Sequence, residues 1–161
     1  MIKEVEGDIL LSDVQAIAHG VAPNDHFDRG LALSLRENYP SMARDFRHYC
    51  RLENPKAGEA WIWGGVGGIR IINLMTQEPA KHHSGHPGKS SLPNVNHSLK
   101  ELVKMVKEEN ITSLALPKLA TGYGGLDWED VKPLLINRLK ELNIPIYIYS
   151  SYKKGVKAVE N

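Results

Sequence analysis

The sequence lacks the features that define several large classes of protein. It has one cysteine, Cys50, in 161 residues, which excludes an internal disulfide and favours a reducing compartment, so we expect a cytoplasmic protein. No apolar run approaches the roughly 20 residues of a membrane span, and the N-terminus lacks the pattern of a secretion signal. With 20 basic residues against 19 acidic ones, the chain has no excess charge for long nucleic-acid tracts.

Short strand-like runs alternate with helical periods along the whole chain. The runs IKEVEG, VQAIAHG, EAWIWGG, IRIINLMT, TSLALP and PIYIYS predict strands. Apolar residues at helical spacing predict helices after Pro40, from Val95 up to Asn110, and after Asp127. This alternation indicates one α/β domain over residues 1–161, with helices on both faces of a mixed, mainly parallel sheet. The basic segment at about 152–161 is expected to be a short solvated tail.

A glycine loop follows one of the predicted strands. The residues TGYGG, 121–125, come directly after the LALP strand, and a helix pattern begins soon afterwards. Ligands in such sheets bind beyond the carboxyl ends of the strands. Glycine allows backbone N–H groups to approach an anion, and a helix N-terminus adds positive potential. The loop therefore predicts a phosphate site, with a tight turn that binds nothing as the alternative.

Two longer loops are expected at the same edge of the sheet. Residues 19–30, HGVAPNDHFDRG, and residues 76–93, TQEPAKHHSGHPGKSSLP, exceed the usual connection length and are candidates for function. His82, His83 and His86 suggest a metal, but no second cluster of ligands accompanies them, and solvated loop residues are the simpler interpretation. We expect no metal and no cofactor.

Five segments together resemble the macrodomain family. They are EGDIL, AIAHG followed by RGLALSLRENYP, IINLMTQ, LPKLATGYGGLDWEDV and IPIYIYS, and they run in that order from Val5 to Ser151. The resemblance is greatest to the short branch that includes the terminal ADP-ribose protein glycohydrolase and the macrodomain antitoxins that remove ADP-ribose from DNA. It implies a three-layer α/β/α fold and ADP-ribose as the ligand.

The resemblance also implies which residues bind ADP-ribose. Asp8 would accept a hydrogen bond from the adenine amino group, Tyr149 would lie beside adenine, and the glycine loop would wrap the diphosphate. The expected ligand-binding residues are Asp8, Ile9, His19, Gly30, Leu31, Gln77, Thr121, Gly122, Tyr123, Gly124, Gly125 and Tyr149. His19 has a second interpretation, as a hydrogen-bonded histidine of the core.

Departures from the family pattern affect the expected chemistry. Gln77 stands where the glycohydrolase branch has a lysine, and Gly124 stands where it has an acid, so that pair of catalytic groups is missing. Asp25, His26 and Asp28 lie in the loop expected to face the distal ribose, where a carboxylate or an imidazole can activate water. We take these three as the catalytic candidates.

Two classes of function stay open at this point. The first is a hydrolase that removes ADP-ribose from a modified macromolecule or processes a derivative such as ADP-ribose 1''-phosphate. The alternative is a reader that binds ADP-ribose without chemistry, and a scaffold that binds no nucleotide is a third possibility. The expected partners are ADP-ribose and ADP-ribosylated protein or nucleic acid, with no membrane, and we expect a monomer.

Overall fold

The computed structural model describes residues 1–82 and 84–161, and across these residues six strands form one central sheet. The strands are β1 (Ile2–Gly7), β2 (Ala16–Val21), β3 (Ala60–Gly64), β4 (Arg70–Met75), β5 (Leu114–Pro117) and β6 (Ile146–Tyr152). Their spatial order is β1-β6-β5-β2-β4-β3, and β3 is antiparallel to β4 while the other neighbours are parallel. The predicted mixed, mainly parallel sheet is confirmed.

Helices cover both faces of the sheet. The helices α1 (Gly30–Asn38) and α2 (Pro40–Glu53) pack on one face, and α3 (Leu92–Glu108) and α4 (Trp128–Leu139) pack on the other. Successive side chains of a strand point to opposite faces, so β4 sends Ile72 and Leu74 to the α3 and α4 side and Ile71 to the α1 and α2 side. The expected three-layer α/β/α arrangement is therefore confirmed.

The C-terminal segment 153–161 is largely exposed, including its three lysines, but it folds back on the sheet through hydrogen bonds. The carbonyl oxygen of Val156 accepts a hydrogen bond from the Asp8 amide at 2.7 Å, and the Glu160 carboxylate accepts from the Ser12 hydroxyl at 2.6 Å and from the Tyr149 hydroxyl. Ala158 is 9% exposed. The segment folds back because its backbone and Glu160 supply partners for polar groups beyond the ends of β1 and β6.

The loops that follow the five parallel strands meet at one edge of the sheet. The chain leaves β2 towards β4 on one side and leaves β5 towards β6 on the other, so the strand order reverses between β2 and β5. Open α/β sheets bind ligands at such a reversal. In the part of the chain that the structure describes, no helix is long and apolar enough to cross a membrane, and no group of three or more His, Cys, Asp or Glu is placed to hold a metal ion.

Candidate functional site

A cavity of about 270 Å³ lies where the strand order reverses, at the carboxyl ends of β2 and β5. The first turn of α1 forms one of its walls and the glycine loop forms another. We call this space the central cavity. The residues that line it are His19, Gly20, Asp25, Arg29, Gly30, Leu31, Ala32, Thr76, Gln77, Pro87, Pro117, Leu119, Ala120, Gly122, Tyr123 and Gly124. The loops 19–30 and 76–93 and the glycine loop therefore meet here, as the sequence predicted.

The N-terminus of α1 opens onto the central cavity. Gly30, Leu31 and Ala32 line the cavity, and the capping residue Arg29 makes no side-chain hydrogen bond to the helix. The first N–H groups of a helix have no acceptor within the helix, and the helix dipole favours negative charge beside them. The sequence suggested the N-terminus of α4 for this role, but α4 begins at Trp128, beyond the loop, and no α4 residue lines the cavity.

The glycine loop turns through left-handed residues on either side of Gly122 and leaves the backbone of Gly122 open to the cavity. Gly125 at φ 77° and Ala120 at φ 65° adopt the left-handed conformation, whereas Gly122 does not. A Cβ atom built on Gly122 meets no heavy atom within 4 Å, and Gly122 lines the cavity. The fold therefore has room for a side chain at position 122, in the wall of the central cavity.

A contact between two loops bridges the mouth of the central cavity. The guanidinium carbon of Arg29 lies 3.9 Å from the centre of the Tyr123 ring. This cation–π contact joins the residue before α1 to the glycine loop. It also places the positive charge of Arg29 beside the exposed amides of both segments. Three features of the cavity therefore favour an anion: the N-terminus of α1, the backbone amides of the glycine loop and the Arg29 guanidinium group.

His19 and Asn73 form a buried polar pair behind the cavity. The Nε2 atom of His19 lies 2.6 Å from the Asn73 Oδ1 atom, and the side chains are 1% and 0% exposed. Burial lowers the pKa of His19 to about 4, despite the opposing effect of the Asn73 hydrogen bond. The ring is neutral at pH 7, and its Nδ1 atom has no hydrogen-bond partner among the described residues. With Nε2 donating to Asn73, Nδ1 is left as a buried acceptor.

Asp25 lies where the central cavity meets a second, larger one. Its Oδ2 atom accepts from the Ala22 amide and its Oδ1 atom accepts from the Phe27 amide, both at 2.9 Å. Burial raises the pKa of this carboxyl group, and those two hydrogen bonds partly oppose the shift. The second cavity, which we call the arginine cavity, has a volume of about 430 Å³ and is lined by Pro23, Asn24, Asp25, His26, Asp28, Arg47, Arg51, Pro79, Ala80, His82, Gly85 and Pro87.

A third cavity adjoins the central cavity on its other side. We call it the apolar cavity, and its volume is about 420 Å³. It is lined by Ile9, Leu10, Gly30, Leu31, Ser34, Pro117, Tyr149 and Tyr152. Three of these residues also line the central cavity. Asp8 lies nearby but is 6% exposed, and its carboxylate oxygens accept from the Leu10 amide at 3.0 Å and from the Gly155 amide at 2.9 Å.

The comparison with known proteins fits this geometry. The family model described as Macro domain matches residues 18–135. The chain belongs to the macrodomain family. The Mycobacterium tuberculosis protein named DNA ADP-ribosyl glycohydrolase is 31% identical over 166 residues, which cover 99% of this chain and 46% of that protein. The solved macrodomain of Mycobacterium tuberculosis DarG is 29% identical, with a TM-score of 0.81 over 96% of this chain and 99% of that one.

A second relative has the same partial overlap. The Thermosipho africanus protein named DNA ADP-ribosyl transferase-DNA ADP-ribosyl glycohydrolase fusion protein is 28% identical over 170 residues, which cover 97% of this chain and 43% of that protein. The chain therefore spans less than half the length of these two curated relatives.

The two departures of this macrodomain from the glycohydrolase branch have structural counterparts. The Gln77 amide group donates to the Gly88 carbonyl oxygen at 3.1 Å, and its backbone N–H donates to Val21, so this residue fastens the loop 78–89 to the sheet. A Cβ atom on Gly124 would lie 2.5 Å from the carbonyl oxygen of Ala120 and 2.5 Å from the Ser90 hydroxyl. The loop conformation therefore excludes any side chain at position 124, including an acid.

The expected ligand-binding residues divide into three groups. Those that line the central cavity are His19, Gly30, Leu31, Gln77, Gly122, Tyr123 and Gly124, and those that line the apolar cavity alone are Ile9 and Tyr149. Asp8, Thr121 and Gly125 line neither, and the Thr121 hydroxyl instead donates to the Lys118 carbonyl oxygen at 2.8 Å.

The catalytic candidates also separate. Asp28 and His26 line the arginine cavity but not the central cavity, whereas Asp25 lines both. Among the loop histidines, His82 lines the arginine cavity and the Nδ1 atom of His86 lies 4.0 Å from Asp28 Oδ1, while His83 lies outside the described residues. Sequence reasoning did not assign Arg29 a ligand contact, although a cation next to a helix start was a usable signal.

Proposed function

We propose that this macrodomain is an ADP-ribosyl hydrolase that releases ADP-ribose from a modified macromolecule. The three cavities form a row, because the apolar and central cavities share Gly30 and the central and arginine cavities share Asp25. In this proposal the adenosine part occupies the apolar cavity beside Tyr149, and the diphosphate and distal ribose occupy the central cavity. The modified group then lies in the arginine cavity.

The position of Asp25 is the observation that carries the hydrolase proposal. A carboxylate at the junction of two cavities stands where the bond between the distal ribose and its acceptor would lie. Asp25 takes a proton from a water molecule, the water oxygen attacks the anomeric carbon, and the bond to the acceptor breaks with its electrons passing to the acceptor atom. A raised pKa brings a carboxylate closer to the range in which it transfers protons efficiently.

The acceptor is a separate part of the proposal. Two relatives carry names that include DNA ADP-ribosyl glycohydrolase, which makes ADP-ribosylated DNA the first substrate to test. An ADP-ribosylated peptide and ADP-ribose 1''-phosphate are the comparison substrates.

A reader of ADP-ribose is the second candidate. It is favoured by Gln77 and Gly124, which remove the lysine and the acid that the glycohydrolase branch uses. A reader needs the apolar and central cavities but has no use for the partly buried Asp25 carboxylate at their far end. Turnover by the wild-type protein, measured beside its affinity for ADP-ribose, distinguishes the two functions.

The decisive experiment compares two aspartate variants of the same loop. Asp25→Asn is expected to lower kcat by roughly 10²- to 10⁴-fold, the usual contribution of a general base, while the Kd for ADP-ribose changes little. Asp28→Ala is the comparison variant, and it should lower kcat much less than Asp25→Asn, because its carboxylate is 45% exposed and lines the arginine cavity but not the central cavity. Equal turnover by Asp25→Asn and wild type would refute the assigned base, and binding without turnover by the wild type would favour the reader.

A further inference from the structure

A pair of arginines on α2 faces the arginine cavity from the side opposite the loops. Arg47 and Arg51 are four residues apart on one helix, so their side chains project from the same face, and both line the cavity. Both are exposed, and neither forms an ion pair or hydrogen bond with any residue in the described ranges 1–82 and 84–161. Within those ranges, no ion pair neutralises these two positive charges.

Part of the remaining wall of the arginine cavity is apolar, and the rest carries the polar residues Asn24, Asp25, His26, Asp28 and His82. Pro23 lies on the first loop, and Pro79, Ala80 and Pro87 lie on the loop between β4 and α3. Enzymes that act on a nucleobase hold it between aromatic or apolar side chains, while its phosphates need cations outside the pocket. Two kinds of acceptor are therefore compared for this cavity. A nucleotide has a flat ring for the prolines and phosphates for the arginines, whereas an acidic side chain has the charge but no flat ring.

We propose that Arg47 and Arg51 bind the phosphates of a nucleic-acid strand that carries the ADP-ribose group, and that the modified nucleotide lies against the proline walls of the arginine cavity. This assignment rests on the proposed function, because it places the acceptor beyond Asp25. Guanidinium groups bind phosphate oxygens through two parallel hydrogen bonds, which a single turn of α2 presents twice. The net charge of +1 fits a short contact of this kind and not a long basic tract.

The test compares a double variant with a control of equal charge. Arg47→Ala/Arg51→Ala removes the pair, and Lys104→Ala/Lys107→Ala removes two exposed cations from α3, which packs on the opposite face of the sheet. Two substrates are used, an ADP-ribosylated single-stranded oligonucleotide and the ADP-ribosylated nucleoside with the same linkage but no strand phosphates. We measure kcat/KM for both and, by fluorescence anisotropy, the affinity for the modified oligonucleotide over a range of salt concentrations.

The arginine variant should lose roughly tenfold or more in kcat/KM and affinity with the oligonucleotide and stay within about twofold of wild type with the nucleoside. The slope of log affinity against log salt should become shallower by about 1.4, because each neutralised phosphate of a single strand contributes about 0.7. The lysine variant should keep the wild-type slope and rate.

Three results with these variants and nucleotide substrates would overturn the assignment. They are an equal loss on both substrates, an equal loss in the lysine variant, and a wild-type affinity for the modified oligonucleotide no tighter than that for ADP-ribose. Preference for an ADP-ribosylated acidic peptide, with the arginine-dependent loss moved to that substrate, would also overturn it and identify a protein acceptor. Failure of the wild type to release ADP-ribose contradicts the proposed function, whereas the anisotropy measurement still decides the role of the arginines.

Discussion

Replacement of Gly122 separates ligand binding from folding more cleanly than any other change in the glycine loop. This residue lies outside the left-handed region, and a Cβ atom on it meets no heavy atom within 4 Å. Gly122→Val should therefore leave the free energy of unfolding within about 0.5 kcal/mol of wild type, as is usual for substitutions away from packed or strained positions. The valine side chain would instead enter the central cavity.

The expected loss of affinity follows from the hydrogen bonds that the side chain blocks. In the proposed complex, the backbone N–H groups near Gly122 donate to the diphosphate. A hydrogen bond to a charged group contributes about 1.5–3 kcal/mol. Loss of two such bonds corresponds to about 3–6 kcal/mol, which raises Kd by at least roughly 100-fold.

Calorimetric titration with ADP-ribose measures this loss, and thermal unfolding of the same samples checks the fold. Gly122→Ala provides a smaller step in the same direction and should give an intermediate Kd. Gly124→Ala provides the opposite behaviour, because its Cβ atom would meet the Ala120 carbonyl oxygen at 2.5 Å and should destabilise the fold itself. An unchanged Kd in a stable Gly122→Val protein would refute the placement of the diphosphate.

Three further predictions concern charge and protonation. Arg29→Ala should weaken ADP-ribose binding about tenfold in calorimetry, because it removes a cation beside the diphosphate and its contact with Tyr123, and undiminished affinity would exclude that role. The neutral state of His19, with its pKa near 4 instead of 6.5, contributes about 3 kcal/mol of stability above pH 6.5, and this contribution is lost as pH falls to 4. His19→Gln should remove this part of the pH dependence of Tm, whereas an unchanged profile would contradict it. If Asp25 acts as a base, kcat/KM should fall as pH drops through its raised pKa, above the usual aspartate range of about 4, and a rate that rises towards acid would exclude it.

The sheet and its three loops could be predicted because their patterns are local. Alternating and apolar runs identify strands, and the loops TGYGG and 76–93 each follow a strand end. What the sequence could not supply was the arrangement of neighbours within a loop. Asp25 and Asp28 are three residues apart and chemically alike, so the sequence does not distinguish them. In the structure, the amides of Ala22 and Phe27 bind the Asp25 carboxylate, and Asp25 but not Asp28 lines the central cavity.

Contacts between residues far apart in the sequence could not be predicted, because the patterns in the sequence are local. The lysines of segment 153–161 are exposed as the sequence suggested, but the hydrogen bonds of that segment to Asp8 and Ser12 join it to the other end of the chain. Arg47 and Arg51 fit an ordinary exposed helix face, and their cavity exists only once the loop between β4 and α3 lies opposite α2. Propensity and periodicity carry no information on such pairs.

The crystal structure of the Asp25→Asn variant with ADP-ribose tests the central claim most directly. We predict the diphosphate in the central cavity, within hydrogen-bond distance of the amides at the start of α1 and near Gly122. The anomeric carbon of the distal ribose should face residue 25 and open onto the arginine cavity. A diphosphate bound elsewhere, or a distal ribose turned away from residue 25, would contradict the account.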